Sequence, residues 1–144
     1  MNIFNKCLVV FACITLSASM SSCDANAALR DQYNTLFTEV IAIHDEIMPE
    51  MGKLTELQEQ LQAQDSMTPA QQEILDKLKE TDRSMMSWMH DFTDTYVKDR
   101  TPVAKMTAAE LKENIEGLET ELDEVKELRD FTNESIALAQ KNLN

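Results

Sequence analysis

Large apolar residues recur at every seventh position in the first half of the chain, at Tyr33, Val40, Ile47, Leu54 and Leu61. This recurrence places the side chains on one side of an α-helix, as in the seam of a coiled coil. A second apolar stripe beside the first consists of Phe37, Ile41, His44, Met48 and Met51. Two adjacent stripes form a face wide enough to be covered by two neighbouring helices. The pattern predicts a helix over residues 28–64, with a kink at Pro49.

Two further helices are marked by the residues that start them. Thr68, Pro69 and Gln71 are typical of a helix that begins at Pro69, with Thr68 as its cap and Gln71 as the capping-box partner. Thr107 and Glu110 have the same spacing and predict the start of a third helix. We expect the second helix to end near residue 99, because a proline follows shortly after. The third should continue to about residue 141.

Residues that interrupt helices are rare in this chain. Only two glycines and three prolines occur among 144 residues, and no stretch alternates between apolar and polar residues as a strand would. The predicted fold class is all-α, an elongated antiparallel three-helix bundle or coiled coil over residues 28–144. The alternative is a helical hairpin that completes its core as a homodimer. Gly117 is expected at the level of Trp88, where it would make room for the indole ring.

The first residues have the layout of a secretory signal. Lys6 is followed by an apolar run over residues 7–16 and then by small residues. The sequence MSSC that ends at Cys23 resembles the lipobox of bacterial lipoproteins, whose cysteine is lipidated and becomes the first residue of the mature chain. This resemblance implies a signal peptide at 1–22, acylation of Cys23 with palmitate or a similar chain, and a short tether at 23–27. Ordinary cleavage a few residues later is the alternative.

The charge of the chain limits its partners. It contains 26 acidic and 13 basic residues, for a formal net charge of −13. This balance argues against nucleic acid and against adhesion to anionic lipid through basic side chains. The expected partners are the membrane, through the lipid anchor, and an unknown protein of the bacterial cell envelope, on its periplasmic face or at the cell surface.

Methionine and histidine are concentrated in two groups that a hairpin would bring to one height, which we call the Met/His belt. The belt consists of His44, Met48, Met51, Met85, Met89 and His90. Thioether sulfur and imidazole nitrogen suit Cu(I), so one interpretation is a copper site. The other is core packing, since methionine fills irregular gaps beside aromatic rings. No other cofactor is predicted.

Two sets of residues resemble known families. Residues 44–51 and Met85-Met86-x-Trp88-Met89 resemble helical Bacteroidetes lipoproteins often labelled viral A-type inclusion protein. This resemblance implies export and a helical fold, with no established activity. Residues 67–71 and 106–110 are similar to the LTxxQ motif of periplasmic Spy- and CpxP-type proteins, with Met in place of Leu in both copies and Glu in place of Gln in the second. That family implies a chaperone or a sensor of envelope stress and metals.

No enzyme pattern is present in the sequence. It contains no phosphate-binding loop, nucleophile elbow or zinc-ligand spacing. The acidic residues beside His44 and His90 are expected on a solvated face. The predicted function is therefore a lipid-anchored envelope bundle with a structural or protein-binding role and no catalytic activity. The alternative is a periplasmic copper-binding, stress-sensing or chaperone-like protein that uses the Met/His belt.

Overall fold

The protein is an all-α bundle of three helices. The computed structural model describes the backbone of residues 3–143 and the side chains of residues 26–143. The helices are α1 (Ile3–Gln62), α2 (Pro69–Phe92) and α3 (Ala108–Leu143). A π-helical turn (Thr93–Val97) extends α2, and a 3-10 turn (Val103–Lys105) lies in the connection to α3. The structure is 89% helical, with no strand in residues 3–143, which confirms the predicted fold class.

Both predicted capping boxes are present. At the start of α2, the Gln71 N–H donates to Thr68 Oγ1 at 3.2 Å and the Thr68 N–H donates to Gln71 Oε1 at 2.9 Å. At the start of α3, the Thr107 N–H donates to Glu110 Oε2 at 2.7 Å and the Glu110 N–H donates to Thr107 Oγ1 at 3.3 Å. The bonds from Thr107 also hold the pKa of Glu110 below its usual range. Because the first N–H groups of a helix lack intrahelical acceptors, these contacts fix where α2 and α3 begin.

Helix α1 begins earlier than predicted. The start expected at residue 28 is wrong, because α1 already includes Ile3 and continues without a break into the body of the bundle. No glycine or proline precedes Pro49, so no residue that breaks helices stands before it. Helix α1 also runs through Pro49 and ends at Gln62, close to the predicted end.

The predicted signal and anchor fall largely outside the described part of the chain. The side chains of residues 1–22 and of Cys23 lie outside the described residues. The backbone of residues 23–27, predicted as a tether, is part of α1. Among the described residues, no helix has both the length and the apolar content needed to cross a membrane.

The core is formed by the residues that the periodicity predicts. On α1, the buried seam residues are Tyr33, Val40, Ile47, Leu54 and Leu61, each at most 2% exposed. On α2 and the π-helical turn, the apolar spacing predicts Leu75, Leu78, Met85, Phe92 and Tyr96 in the core, and all five are buried. Trp88, predicted on the flank of this face, is buried as well. On α3, the predicted core residues that are buried are Leu111, Ile115, Leu118, Leu122 and Val125. Helix α3 packs against both α1 and α2, which agrees with the three-helix prediction rather than with a two-helix hairpin.

The last part of α3 departs from the prediction. The helical spacing of apolar residues on α3 predicts Leu128, Phe131, Ile136 and Leu138 in one buried stripe, but Leu138 is 37% exposed. Leu128 and Phe131 are only half-buried. Ile136 is buried as predicted, and small residues occupy the other buried positions, namely Thr132, Ser135 and Ala139. The Ser135 hydroxyl lies 3.0 Å from that of Thr81, so two small side chains let α2 and α3 approach closely here.

Candidate functional site around Trp88

Trp88, the single tryptophan of the chain, lies at the centre of a row of stacked rings. Its ring centroid is 5.0 Å from that of Phe92 and 6.0 Å from that of His44 on α1. Phe92 in turn lies 5.1 Å from Tyr96 and 5.7 Å from Phe37. Aromatic pairs at these distances contribute about 0.5–1.5 kcal/mol each beyond the area they bury. The row therefore ties α2 to α1 at this height of the bundle.

Arg100 lies in the connection between α2 and α3 and packs against the rings at one end of the row. Its guanidinium carbon lies 5.2 Å from the Phe37 ring centroid and 5.9 Å from that of Tyr33. Arg100 Nη1 also donates to the Tyr33 hydroxyl at 2.8 Å. No sequence pattern predicts this contact, because it depends on the path of the connection, where Asp99 has a left-handed backbone with φ of 53°.

The predicted pairing of α1 with α2 is confirmed at the Met/His belt. His44 was expected level with Met89, and both line a pocket of about 140 Å³ between α1 and α2. The indole ring of Trp88 forms part of the same pocket. Thr93 and Val97, which begin and end the π-helical turn, also border it. The widened turn thus lies beside the pocket, and π-helical turns are frequent at functional sites.

The candidate metal ligands of the Met/His belt have different environments. Met85 is 1% exposed and is part of the core. His44, Met51 and Met89 are half-buried at the edge of that core. Met48 is 40% exposed, although the apolar stripe predicted it on a covered face. The structure therefore brings His44 and Met89 to one pocket, while Met85 occupies a packing position.

The histidine rings contact neighbouring carboxylates. His90 is exposed, with Nε2 3.6 Å from Asp94 Oδ2, and does not line the pocket of His44. His44 Nδ1 lies 3.1 Å from Asp45 Oδ1. If Nδ1 donates to Asp45, the lone pair of His44 Nε2 is available to a ligand. Across residues 26–143, no three His, Cys, Asp or Glu side chains are grouped in a way that could hold a metal ion.

Gly117 makes room for Tyr96 and not for Trp88, so this prediction is wrong. A methyl group at Gly117 would overlap the Tyr96 hydroxyl. Tyr96 follows Trp88 by about two helical turns. The pairing of α2 with α3 is therefore displaced by about two helical turns from the predicted one. Burial, together with the nearby charge of Glu121, raises the pKa of Tyr96 to about 12.

On the other side of Trp88, an open groove of about 660 Å³ runs between α2 and α3. We call it the α2–α3 groove. Its lining comprises Ser84, Ser87, Trp88 and Asp91 from α2 and Glu124, Glu127, Leu128 and Phe131 from α3. Each helix contributes four residues with the same spacing, which places them on one face. That repeated spacing is the signal that sequence reasoning missed, because the carboxylates resembled an ordinary solvated face.

The carboxyl groups around the α2–α3 groove lack a positive partner. Among residues 26–143, no Lys, Arg or His nitrogen lies within 4.0 Å of Asp91, Glu121, Glu124 or Glu127. Burial raises the pKa of Glu121, and the charges of Glu124 and Asp91 raise it further. The groove therefore concentrates uncompensated negative charge.

The indole N–H of Trp88 is buried beside the Glu121 carboxyl group. Trp88 is 6% exposed, and its Nε1 is buried without an acceptor at hydrogen-bond distance and angle. The nearby Glu121 carboxyl group is close enough for the indole N–H to oppose the rise in its pKa. The contact departs from ideal hydrogen-bond geometry, so Glu121 satisfies the indole N–H only in part. Buried donors without acceptors are uncommon in folded proteins.

Comparison of this chain with protein families, with curated proteins and with solved structures gave no match.

Proposed function

We propose that the protein is a lipid-anchored bundle of the bacterial cell envelope that binds a protein partner and has no catalytic activity. The observation that carries the binding role is the α2–α3 groove, an open acidic surface beside an otherwise filled core. A groove of this size, with apolar and charged residues side by side, is typical of a binding site. The residues that support the anchor are Cys23 and the small residues before it.

The distance between anchor and groove suits this role. Trp88, which forms part of the groove, lies level with His44 of α1. Along a helix, the residues from Cys23 to His44 span roughly 30 Å at 1.5 Å per residue. An anchor at Cys23 would therefore hold the groove beyond the lipid headgroups, where it can meet another protein.

Replacing Cys23 with Ser should release the chain from the membrane. The Cys23→Ser variant lacks the thiol that carries the lipid, so we expect complete loss of incorporated labelled palmitate and loss of the chain from the membrane fraction. Cys13→Ala is the matched control, since it removes another cysteine of the same N-terminal region without touching the proposed anchor. Equal labelling of both variants would contradict the proposal.

A copper-binding role is a second candidate, favoured by the shared pocket of His44 and Met89. Met51 is half-buried on the same helix as His44 and follows it by about two turns. Imidazole and thioether groups are suitable Cu(I) ligands where no thiol is present. Under this candidate, the side chains of the Met/His belt bind Cu(I), a role beyond packing in the core.

Titration of the full chain with Cu(I) under a competing chelator tests this second candidate. Binding tighter than about 1 μM should raise the melting temperature by mass action. Met48→Leu and Met89→Leu should abolish that rise, whereas Met86→Leu, at an exposed position outside the Met/His belt, should leave it unchanged. Absence of binding, with each Met→Leu variant losing less than about 1.5 kcal/mol, would assign these methionines to packing.

A further inference from the structure

We infer that Met48 and Met86 are sites of reversible oxidation to methionine sulfoxide by peroxides. We call these two residues the surface methionines. The inference goes beyond the protein-binding role and does not depend on it. Two observations lead to it: the side chains are exposed where packing does not require them, and they lie on the same helix faces as two residues that line one pocket.

The surface methionines are exposed to solvent, unlike the methionine of the core. Met86 is 58% exposed and Met48 is 40% exposed, whereas Met85, the residue before Met86, is 1% exposed. Val97 and Leu138 complete the set of exposed large apolar side chains in residues 26–143. Valine and leucine are inert to mild oxidants, but a methionine thioether in water takes up oxygen and can be reduced again. The exposure therefore gives Met48 and Met86 a chemistry that Met85 lacks in the folded chain.

Both surface methionines lie beside the pocket between α1 and α2. Met86 precedes Met89 by three residues on α2, and Met48 follows His44 by four residues on α1. Side chains three or four positions apart are neighbours on the surface of a helix. Because His44 and Met89 both line the pocket, the two exposed thioethers flank it, one on each helix.

The reaction requires only a peroxide as the oxidant. A lone pair of the thioether sulfur attacks one oxygen of hydrogen peroxide, the O–O bond breaks, an S–O bond forms, and one molecule of water leaves. Sulfur gives up two electrons and the peroxide is reduced. A methionine sulfoxide reductase reverses the step, with one enzyme for each sulfoxide epimer. Two thiols then supply the electrons and form a disulfide, and the sulfoxide oxygen leaves as water.

The location of the sulfoxide decides its effect on the protein. At Met86 and Met48 the new polar group lies in water, so the core stays filled. The same group at Met85 would be buried among apolar side chains, which is costly. Oxidation of the surface methionines makes the apolar border of the pocket polar, and it removes the thioether of Met48 from a Cu(I) ligand set. The surface around the pocket thus depends on the oxidants that reach it.

Treatment of the full chain with dilute hydrogen peroxide in peroxide-free octyl glucoside, followed by peptide mass spectrometry, tests the inference. We expect sulfoxide to form at Met86 at least about tenfold faster than at Met85, and at Met48 at least about fivefold faster than at the buried Met106. The matched control is the same chain in concentrated guanidinium chloride. There the fold no longer protects Met85, so the rates at Met85 and Met86 should agree within about twofold.

Three further measurements complete the test. Methionine sulfoxide reductases A and B together should restore the original mass at Met48 and Met86. The Met48→Leu/Met86→Leu variant should take up about two fewer oxygen atoms per chain, because leucine forms no sulfoxide. Oxidation limited to the surface methionines should lower the melting temperature by no more than about 2 °C. Equal rates at Met85 and Met86 in the folded chain, sulfoxides that resist both reductases, unchanged oxygen uptake by the variant, or a larger fall in melting temperature would each overturn the inference.

Discussion

The Gly117→Ala variant is expected to lose about 2 kcal/mol of unfolding free energy, although alanine is the better helix former. In an unobstructed helix the substitution would add about 1 kcal/mol. Here the new methyl group would overlap the hydroxyl of Tyr96. Tyr96 is 5% exposed and stacks on Phe92, so its ring cannot move away freely. Overpacking of this kind costs about 1–3 kcal/mol.

Two variants make this prediction specific. Gly52→Ala is the matched control, because a methyl group at Gly52 in α1 would meet no atom within 4 Å beyond the adjoining residues and backbone of its own helix, and it should stabilise by up to about 1 kcal/mol. Tyr96→Phe removes the hydroxyl, so the Gly117→Ala/Tyr96→Phe double variant should recover most of the loss. Denaturant unfolding followed by circular dichroism gives all the values. If Gly117→Ala stabilised the protein as much as Gly52→Ala does, the close approach of Tyr96 to Gly117 would be refuted.

Trp88→Ala should cost about 3–5 kcal/mol, the range measured when large aromatic residues are removed from cores. Trp88 is 6% exposed and contacts rings from both α1 and α2. Its loss would leave a cavity and would remove two stacking contacts at once. The measurement is again the free energy of unfolding, compared with that of the unchanged chain.

Met86 provides the control for this prediction. It precedes Trp88 on the same helix but is 58% exposed. Met86→Ala should therefore change the unfolding free energy by no more than about 0.5 kcal/mol. Similar losses for Met86→Ala and Trp88→Ala would mean that the stacked rings do not connect α1 with α2 as described.

The sequence predicts three features well: the buried seam of α1, the starts of α2 and α3, and the pairing of α1 with α2. The seven-residue recurrence identifies the buried seam of α1, and the Thr68 and Thr107 boxes place the starts of α2 and α3. The pairing of α1 with α2 follows as well, because the short connection between them fixes which residues face each other. His44 accordingly stacks on Trp88. Each of these features depends on a local sequence signal or on a short connection.

The elements that sequence did not predict depend on the longer connection. The pairing of α2 with α3 across that connection is displaced by about two helical turns relative to the prediction. This shift places Tyr96 over Gly117 and brings Glu124 and Glu127 opposite Asp91. The repeated spacing of the groove residues was visible in the sequence, but only this pairing shows that the two sets lie side by side.

The mass of the N-terminal peptide, taken from chain extracted from the membranes of cells that make it, tests the proposed function most directly. The account predicts that this peptide begins at Cys23 and that the cysteine carries covalently bound lipid. A peptide that begins at another residue, or one that contains an unmodified Cys23, would contradict a lipid-anchored role.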